Sequence, residues 1–330
     1  VQIHRVSRAA TRRQLLAASA GAGLALALGR RQLRAAGEVK IGYQKGSATL
    51  LVLKSSGDLE QQLGDLGYTV TWTEFPAALP LLEAMNAGSI DFGNTGAAPV
   101  IFSQAAGTDL IYAVSSASSP RSQGIIVPSD SPIQGIADLK GKKVALAKGS
   151  ISVALTVAAL ESVGLKWEDV EPAFLLPADA KAAFNGGSVD AWTIWDPYYA
   201  LEEGESSART IATNESVGLP NRGFYLADRS FATEHADALS AIIASLREAE
   251  TWVDEHTDEV VTTLSQETGL APDTLRVVEE RRVHGLEPVT PEVVAGQQQL
   301  ADLFFSLGLI PTKVDVAAAT LPGLETFASQ

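Results

Sequence analysis

The chain has 330 residues, 46% of them hydrophobic and 19% charged, which is enough apolar material for one large or two medium domains and excludes wholesale disorder. It contains no cysteine, so disulfides, zinc-thiolate sites and thiol chemistry are excluded. Its formal net charge of −14 makes nucleic acid an unsuitable partner.

The charge is unevenly spread. Residues 1–37 hold seven arginines (Arg5, Arg8, Arg12, Arg13, Arg30, Arg31 and Arg34) and no acid, around an apolar run from Leu15 to Leu28 that is too short to span a membrane. A basic start, a modest apolar centre and the small residues Ala35-Ala36 predict a cleavable export signal for 1–37. Arg12-Arg13 before Gln14-Leu15-Leu16 resembles a twin-arginine signal, so the reading is export by that route to the periplasm, not membrane integration. The remainder carries 18 Lys+Arg against 39 Asp+Glu. Such a surface repels small anions, so any anion site has to work through short-range donors.

In chain order, the pattern predicts a strand at 39–43, a helix from about Thr49, a strand at 69–74, a helix at 79–87, a strand at 92–95, a helix at 99–106 and a strand at 110–115. Gln123 to Val127 reads as a strand crossing to a second lobe. That lobe has strands near 143–147, 170–175 and 191–195 and helices near 152–163 and 178–186; Phe224 to Ala227 reads as the return crossing. Beyond Ser230 the signal is helical, with amphipathic stretches at 236–255, 257–268, 272–282 and 291–307. The expected organisation is an α/β chain with a first, discontinuous lobe at 38–128 plus 224–330 and a second at 129–223. The sheets are expected to be mixed and mainly parallel, with the crossing strands as a hinge that closes on a ligand.

The two lobes repeat one unit. Lys45-Gly46-Ser47 and Lys148-Gly149-Ser150 each follow a short apolar strand and open a helix. About forty residues on, Asn86-Ala87-Gly88-Ser89-Ile90-Asp91 is matched by Asn185-Gly186-Gly187-Ser188-Val189-Asp190. Helix starts present unpaired N–H groups and the positive end of the dipole, and ligands of such sheets sit beyond the carboxyl ends of the strands. The ligand-binding candidates are therefore Gln44, Gly46, Ser47, Thr95 and Gly96 from the first lobe, and Gly149, Ser150 and Ser152 from the second. Trp195 and Tyr198 offer flat walls, and Asp196 is a helix cap or an amine ligand. Trp192 is read as core. Lys45 and Lys148 are secondary, and Arg121 and Arg222 flank the crossings where an anion could pair with them.

Enzyme signals do not accumulate. His4, His235, His256 and His284 are scattered, there is no Gly-x-Ser-x-Gly elbow, and Gly141-Lys142-Lys143 has the wrong spacing for a phosphate loop. No catalytic residue, metal or cofactor is expected.

At these residues the chain resembles the aliphatic sulfonate-binding proteins, the substrate-binding components of ABC transporters in the nitrate/sulfonate/taurine group. The resemblance is carried by Ile41-Gly42-Tyr43-Gln44-Lys45-Gly46-Ser47, Phe75-Pro76-Ala77, Gly88-Ser89-Ile90-Asp91, Ala137-Asp138-Leu139-Lys140-Gly141, Pro177-Ala178-Asp179-Ala180, and Val189-Asp190-Ala191-Trp192-Thr193-Ile194-Trp195-Asp196-Pro197-Tyr198-Tyr199. It implies a two-lobed periplasmic-binding-protein fold of type II, an alkanesulfonate ligand, and delivery to a permease driven by an ATPase for sulfur acquisition. Ala97-Ala98, Gln123 and Asn221-Arg222-Gly223 depart from the pattern expected of that family. Taurine, nitrate or a pyrimidine precursor are the alternative ligands; taurine would use an acid such as Asp196 for its amine. A pyrimidine-synthesising enzyme of similar architecture relies on cysteine-rich iron chemistry, which a cysteine-free chain lacks.

Overall fold

The computed structural model describes residues 37–44, 46–205 and 207–322. All but the last residue of the expected export segment 1–37, and Lys45 of the first turn, lie outside the described residues.

The first half runs β1 (Gly37–Tyr43), α1 (Ala48–Ser56), α2 (Asp58–Asp65), β2 (Tyr68–Glu74), α3 (Ala78–Asn86), β3 (Phe92–Gly96), α4 (Ala97–Ala105) and β4 (Leu110–Ser116). The chain then crosses into β5 (Gln123–Pro128), β6 (Lys143–Leu146), α5 (Ser152–Ser162), β7 (Glu171–Phe174), α6 (Pro177–Asn185), β8 (Ala191–Trp195), α7 (Tyr198–Gly204) and β9 (Ala208–Thr213). It returns through β10 (Gly223–Asp228) to α8 (Arg229–Glu234), α9 (Ala236–Glu255), α10 (Thr257–Thr268), α11 (Pro272–Arg281), β11 (Leu286–Glu287) and α12 (Pro291–Ser306).

Two sheets result, in the orders β11-β4-β10-β3-β1-β2 and β7-β6-β8-β5-β9. Parallel pairing is confined to β2-β1-β3 and β7-β6-β8; β10 and β5 run antiparallel to both of their neighbours. The sheets are thus built alike, and each crossing strand is a central member of a sheet rather than a free connector. This corrects the boundary expected at 128: β5 belongs to the second sheet, and the links between the halves are 117–122 and 214–222. The reason is burial. Ile125, Ile126 and Val127, like Phe224, Leu226 and Ala227, are fully or almost fully buried, as a strand covered on both faces demands.

The repeated Asn-x-Gly-Ser-x-Asp phrase has a structural job. Gly88 and Gly187 both sit at φ 68° directly after a helix, where a side chain would be strained, and Ser89 and Ser188 donate their N–H back to Ala84 and Ala183 at 2.8 Å. Asp91 and Asp190 each accept the N–H of Lys40 or Lys143 through Oδ2 at 2.8 Å, and donate their own N–H to the same residue's carbonyl at 2.8 Å. The phrase therefore ends a helix and locks the next strand onto the first strand of its lobe.

Among the C-terminal helices, α9 lays Leu239, Ile242, Ile243, Leu246 and Val253 on α1 and α2 at helical spacing, and α12 packs on α4. Helix α11 instead reaches α7 of the second lobe. One apolar cluster runs unbroken from Leu82 and Phe304 in the first lobe to Val144 and Leu155 in the second, so the lobes are in contact rather than splayed. No helix among the described residues is long and apolar enough to cross a membrane.

Candidate functional site

The strand order puts the ends of β1, β3, β6 and β8 on the side where the links 117–122 and 214–222 cross. At the first turn, the Ser47 N–H bonds Gln44 O at 2.9 Å, and the Gln44 side chain donates through Nε2 to Asn94 O at 3.2 Å, tying the turn to the end of β3. Gly46 is exposed, and a Cβ there would meet nothing within 4 Å, so its backbone is open to a ligand. Ser47 precedes α1 and makes no side-chain cap bond. Thr49 points into the lobe and donates to Glu250 Oε1 at 2.8 Å.

Thr95 is 4% exposed, and its hydroxyl donates to Gly96 O at 3.4 Å. Gly96 is the exposed N-cap of α4, again without a side-chain cap bond, and Ala97 and Ala98 supply first-turn N–H groups. In the second lobe, Gly149 adopts φ 77°, and a Cβ there would stand 3.4 Å from the Phe102 ring on α4. The positive φ favours glycine, and the packing against Phe102 brings the second turn against the helix that begins after Gly96. Ser150 Oγ donates to Ala147 O at 2.8 Å and accepts the Ser152 N–H at 3.3 Å. Helix α5, like α1 and α4, has no side-chain cap.

Two of the sequence candidates, Ser152 and Asp196, have side chains that are buried and already engaged, while Tyr198 and Trp195 are half-buried beside the second-lobe core. Ser152 is 0% exposed, and its hydroxyl accepts from Gln123 Nε2 at 2.8 Å, so it packs the lobe interior. Asp196 has a side chain only 5% exposed; its Oδ1 accepts from Ala200 N and from Arg281 Nη1, each at 3.0 Å. It caps α7 and is paired already, which removes it as an amine ligand. Tyr198 rests on Trp192 with ring centroids 6.0 Å apart, and Trp195 packs at the edge of the same second-lobe cluster. Trp192 itself is 1% exposed, as expected of core.

Burial pushes the Asp196 carboxyl up to about 6, with Arg281 and the Ala200 N–H offsetting only part of the effect. Arg281 also pairs with Glu203 and lies over the Tyr199 ring, 4.2 Å from its centroid. This clamp from α11 onto the second lobe is not legible in the sequence. Arg222 is engaged by Glu287 at 2.5 Å and by Ser115 Oγ at 3.3 Å, and Arg121 donates to Glu280 O at 3.0 Å. The Arg222 charge is therefore already paired. Lys148 is exposed.

A cavity of about 360 Å³ lies between the lobes. Ala97, Ile151, Ala154, Arg222, Phe224 and Leu300 are among its walls; none of the eleven candidates is, although Gly96, Ser150 and Ser152 are chain neighbours of lining residues. Helices α5 and α12 form its sides, and no local pattern links two segments so far apart in the chain. Among the described residues no group of three His, Cys, Asp or Glu could hold a metal ion. The arrangement offers neutral donors from both lobes and an adjoining apolar cavity.

Comparison with known proteins agrees with this architecture. Residues 70–260 match the family described as NMT1/THI5 like. An aliphatic sulfonates-binding protein of Escherichia coli (strain K12) is 42% identical over 280 residues, covering 84% of this chain and 86% of that one. The solved periplasmic aliphatic sulphonate binding protein SsuA from Escherichia coli superposes with a TM-score of 0.82 at 39% identity, covering 88% of this chain and 99% of that chain. The alkanesulfonate-binding protein SsuA from Xanthomonas axonopodis pv. citri, bound to MOPS, gives 0.77 at 39% identity, covering 86% and 98%. The chain belongs to the NMT1/THI5-like family, in the group formed by the aliphatic sulfonate-binding proteins.

Proposed function

We propose that this protein binds an aliphatic sulfonate between its lobes and delivers it unchanged to an ABC permease and ATPase for sulfur acquisition. The observation that carries the reading is that helix starts without a side-chain cap occur in both lobes, at Gly96 and just after Gly149-Ser150, and that the Gly149 turn lies against Phe102 of the helix that begins after Gly96. A sulfonate has three acceptor oxygens and a charge that persists at any physiological pH, so N–H and O–H donors hold it without a general base. The relatives named for aliphatic sulfonates support the same ligand, and MOPS, held by one of them, carries a propanesulfonate arm. The arginine-rich segment supports export by the twin-arginine route, and the periplasmic relative supports a periplasmic location.

The protein is not an enzyme in this reading, since its donors stabilise a ground-state anion and no nucleophile–base pair accompanies them. Taurine is disfavoured because Asp196 is already held by Arg281. Calorimetry on the purified protein with ethanesulfonate, hexanesulfonate, taurine, nitrate, sulfate and a pyrimidine precursor tests the assignment. Alkanesulfonates are expected to bind at about micromolar Kd without turnover. A preference for nitrate or the pyrimidine precursor would refute it.

A further inference from the structure

Helix α12 buries Gln297, Leu300, Ala301 and Phe304, positions spaced by three and four that form one stripe packed on the first lobe. Three of these residues are apolar; the fourth carries an amide and is only 5% exposed. A polar side chain in such a stripe is destabilising unless its hydrogen bonds are made, and leucine or methionine would fill the position without that demand. What the Gln297 amide bonds is therefore the reason for its presence.

Gln297 donates through Nε2 to Ala97 O at 2.7 Å and to the Tyr112 hydroxyl at 3.1 Å, and Tyr112 donates in turn to Gln104 Oε1 at 2.7 Å. Ala97 is the first residue of α4 and Gln104 lies in its last turn, so this chain of bonds grips the helix at both ends from a helix 200 residues further along the sequence. The grip matters most at the start. Gly96, the exposed N-cap of α4, has no side chain to hold the first turn, and Pro99 brings no N–H to it. A helix end without a cap frays, whereas a bond from a buried amide onto its first carbonyl holds it in place. The second lobe has a counterpart: Gln123, also buried, donates through Nε2 to the hydroxyl of Ser152, the first residue of α5, at 2.8 Å.

We infer that Gln297 is a positioning residue for the sulfonate headgroup, holding the first turn of α4 in the orientation in which its N–H groups meet the ligand. This rests on the sulfonate reading above and adds to it a residue that acts through the Ala97 carbonyl rather than by touching the ligand.

The test is calorimetry with ethanesulfonate and hexanesulfonate on wild type, Gln297→Met and Gln298→Met. Gln298 is the matched control, because the neighbouring amide of α12 bonds Val314 O and the Val316 N–H, each at 2.9 Å, instead of α4. Circular dichroism and urea unfolding establish that each variant is folded. Gln297→Asn, whose amide is a methylene too short to reach Ala97, takes the place of Gln297→Met should that variant not fold. Gln297→Met is expected to weaken both sulfonates by the same factor, at least about five-fold, because ordering the turn is then left to the ligand. Gln298→Met is expected to keep both Kd values within about two-fold of wild type. Hydrogen exchange of the ligand-free proteins gives a second readout, with the amides of 96–102 exchanging faster in Gln297→Met and as in wild type in Gln298→Met. An unchanged Kd in folded Gln297→Met, an equal loss in Gln298→Met, unaltered exchange at 96–102, or a loss confined to hexanesulfonate, which would mean contact with the tail, overturns the assignment and leaves the sulfonate reading standing. Failure of folded wild type to bind either sulfonate overturns the two together.

Discussion

Replacing Asp196 by asparagine is expected to change how stability depends on pH, because the carboxylate is held where an ion is poorly solvated. Its Oδ1 is shared by the Ala200 N–H and Arg281, and its Oδ2 is buried without a hydrogen-bond partner. Burial raises the ionisation from the ordinary 3.8 to about 6 despite the arginine. An acid whose pKa is higher in the folded than in the unfolded chain stabilises the fold fully below the unfolded value, and loses that contribution as pH rises through the folded one. The shift from 3.8 to about 6 corresponds to about 3 kcal/mol lost on going from acid to neutral pH. The amide introduced by Asp196→Asn keeps an acceptor for both donors and carries no charge, so the variant lacks this slope. Urea unfolding of the ligand-free protein at intervals from roughly pH 4 to 7 reads the difference, with the wild type losing up to about 3 kcal/mol relative to Asp196→Asn. Curves that run parallel across that window would refute the reasoning. Arg281→Met, which takes away the nearest positive charge, moves the Asp196 ionisation further upward and steepens the wild-type trend.

Two further outcomes separate structure from binding. Asp91→Ala is expected to lose about 1–3 kcal/mol of stability through the orphaned Lys40 N–H, and Asp190→Ala less, because its side chain is 43% exposed. Neither change should alter sulfonate affinity; a weakened Kd in a folded variant would place the repeated phrase in the site. Thr95→Ala combined with Ser150→Ala is expected to weaken binding about ten-fold or more, since each hydroxyl bond to an ion is worth about 1.5–3 kcal/mol. Unchanged affinity in that double variant would move the site elsewhere.

Much of the fold is legible in the sequence because local signals and tertiary packing agree. The helical stretches expected at 236–255 and 291–307 correspond to Ala236–Glu255 and Pro291–Ser306, whose apolar spacing at three and four residues matches the face each buries. The strands Gln123–Pro128 and Gly223–Asp228 are legible as strands but not as members of a particular sheet. Their apolar runs identify a strand buried on both faces, yet nothing in them says which neighbours they join. Short polar elements such as Ala208–Thr213 and Leu286–Glu287 escape, since their pairing with β5 and β4 is set by those neighbours rather than by their own pattern.

At the site, the sequence locates the turns but not what their side chains do. Two serines of the same short stretch, Ser150 and Ser152, look equivalent as hydroxyl donors. Helix phase leaves one partly exposed and buries the other on Gln123. The repeated Asn-x-Gly-Ser-x-Asp phrase points to duplication correctly and to no ligand. The cavity is not readable at all, because Ala154 and Gly296 meet only when the lobes do.

The central claim is that donors from both lobes share one ionised headgroup. A crystal structure of the ethanesulfonate complex tests it most directly. The expected result has sulfonate oxygens accepting from the first turn of α4 on one side and from the Gly149-Ser150 turn on the other. A headgroup held by one lobe alone, or paired to Arg222 in place of Glu287, would contradict the account.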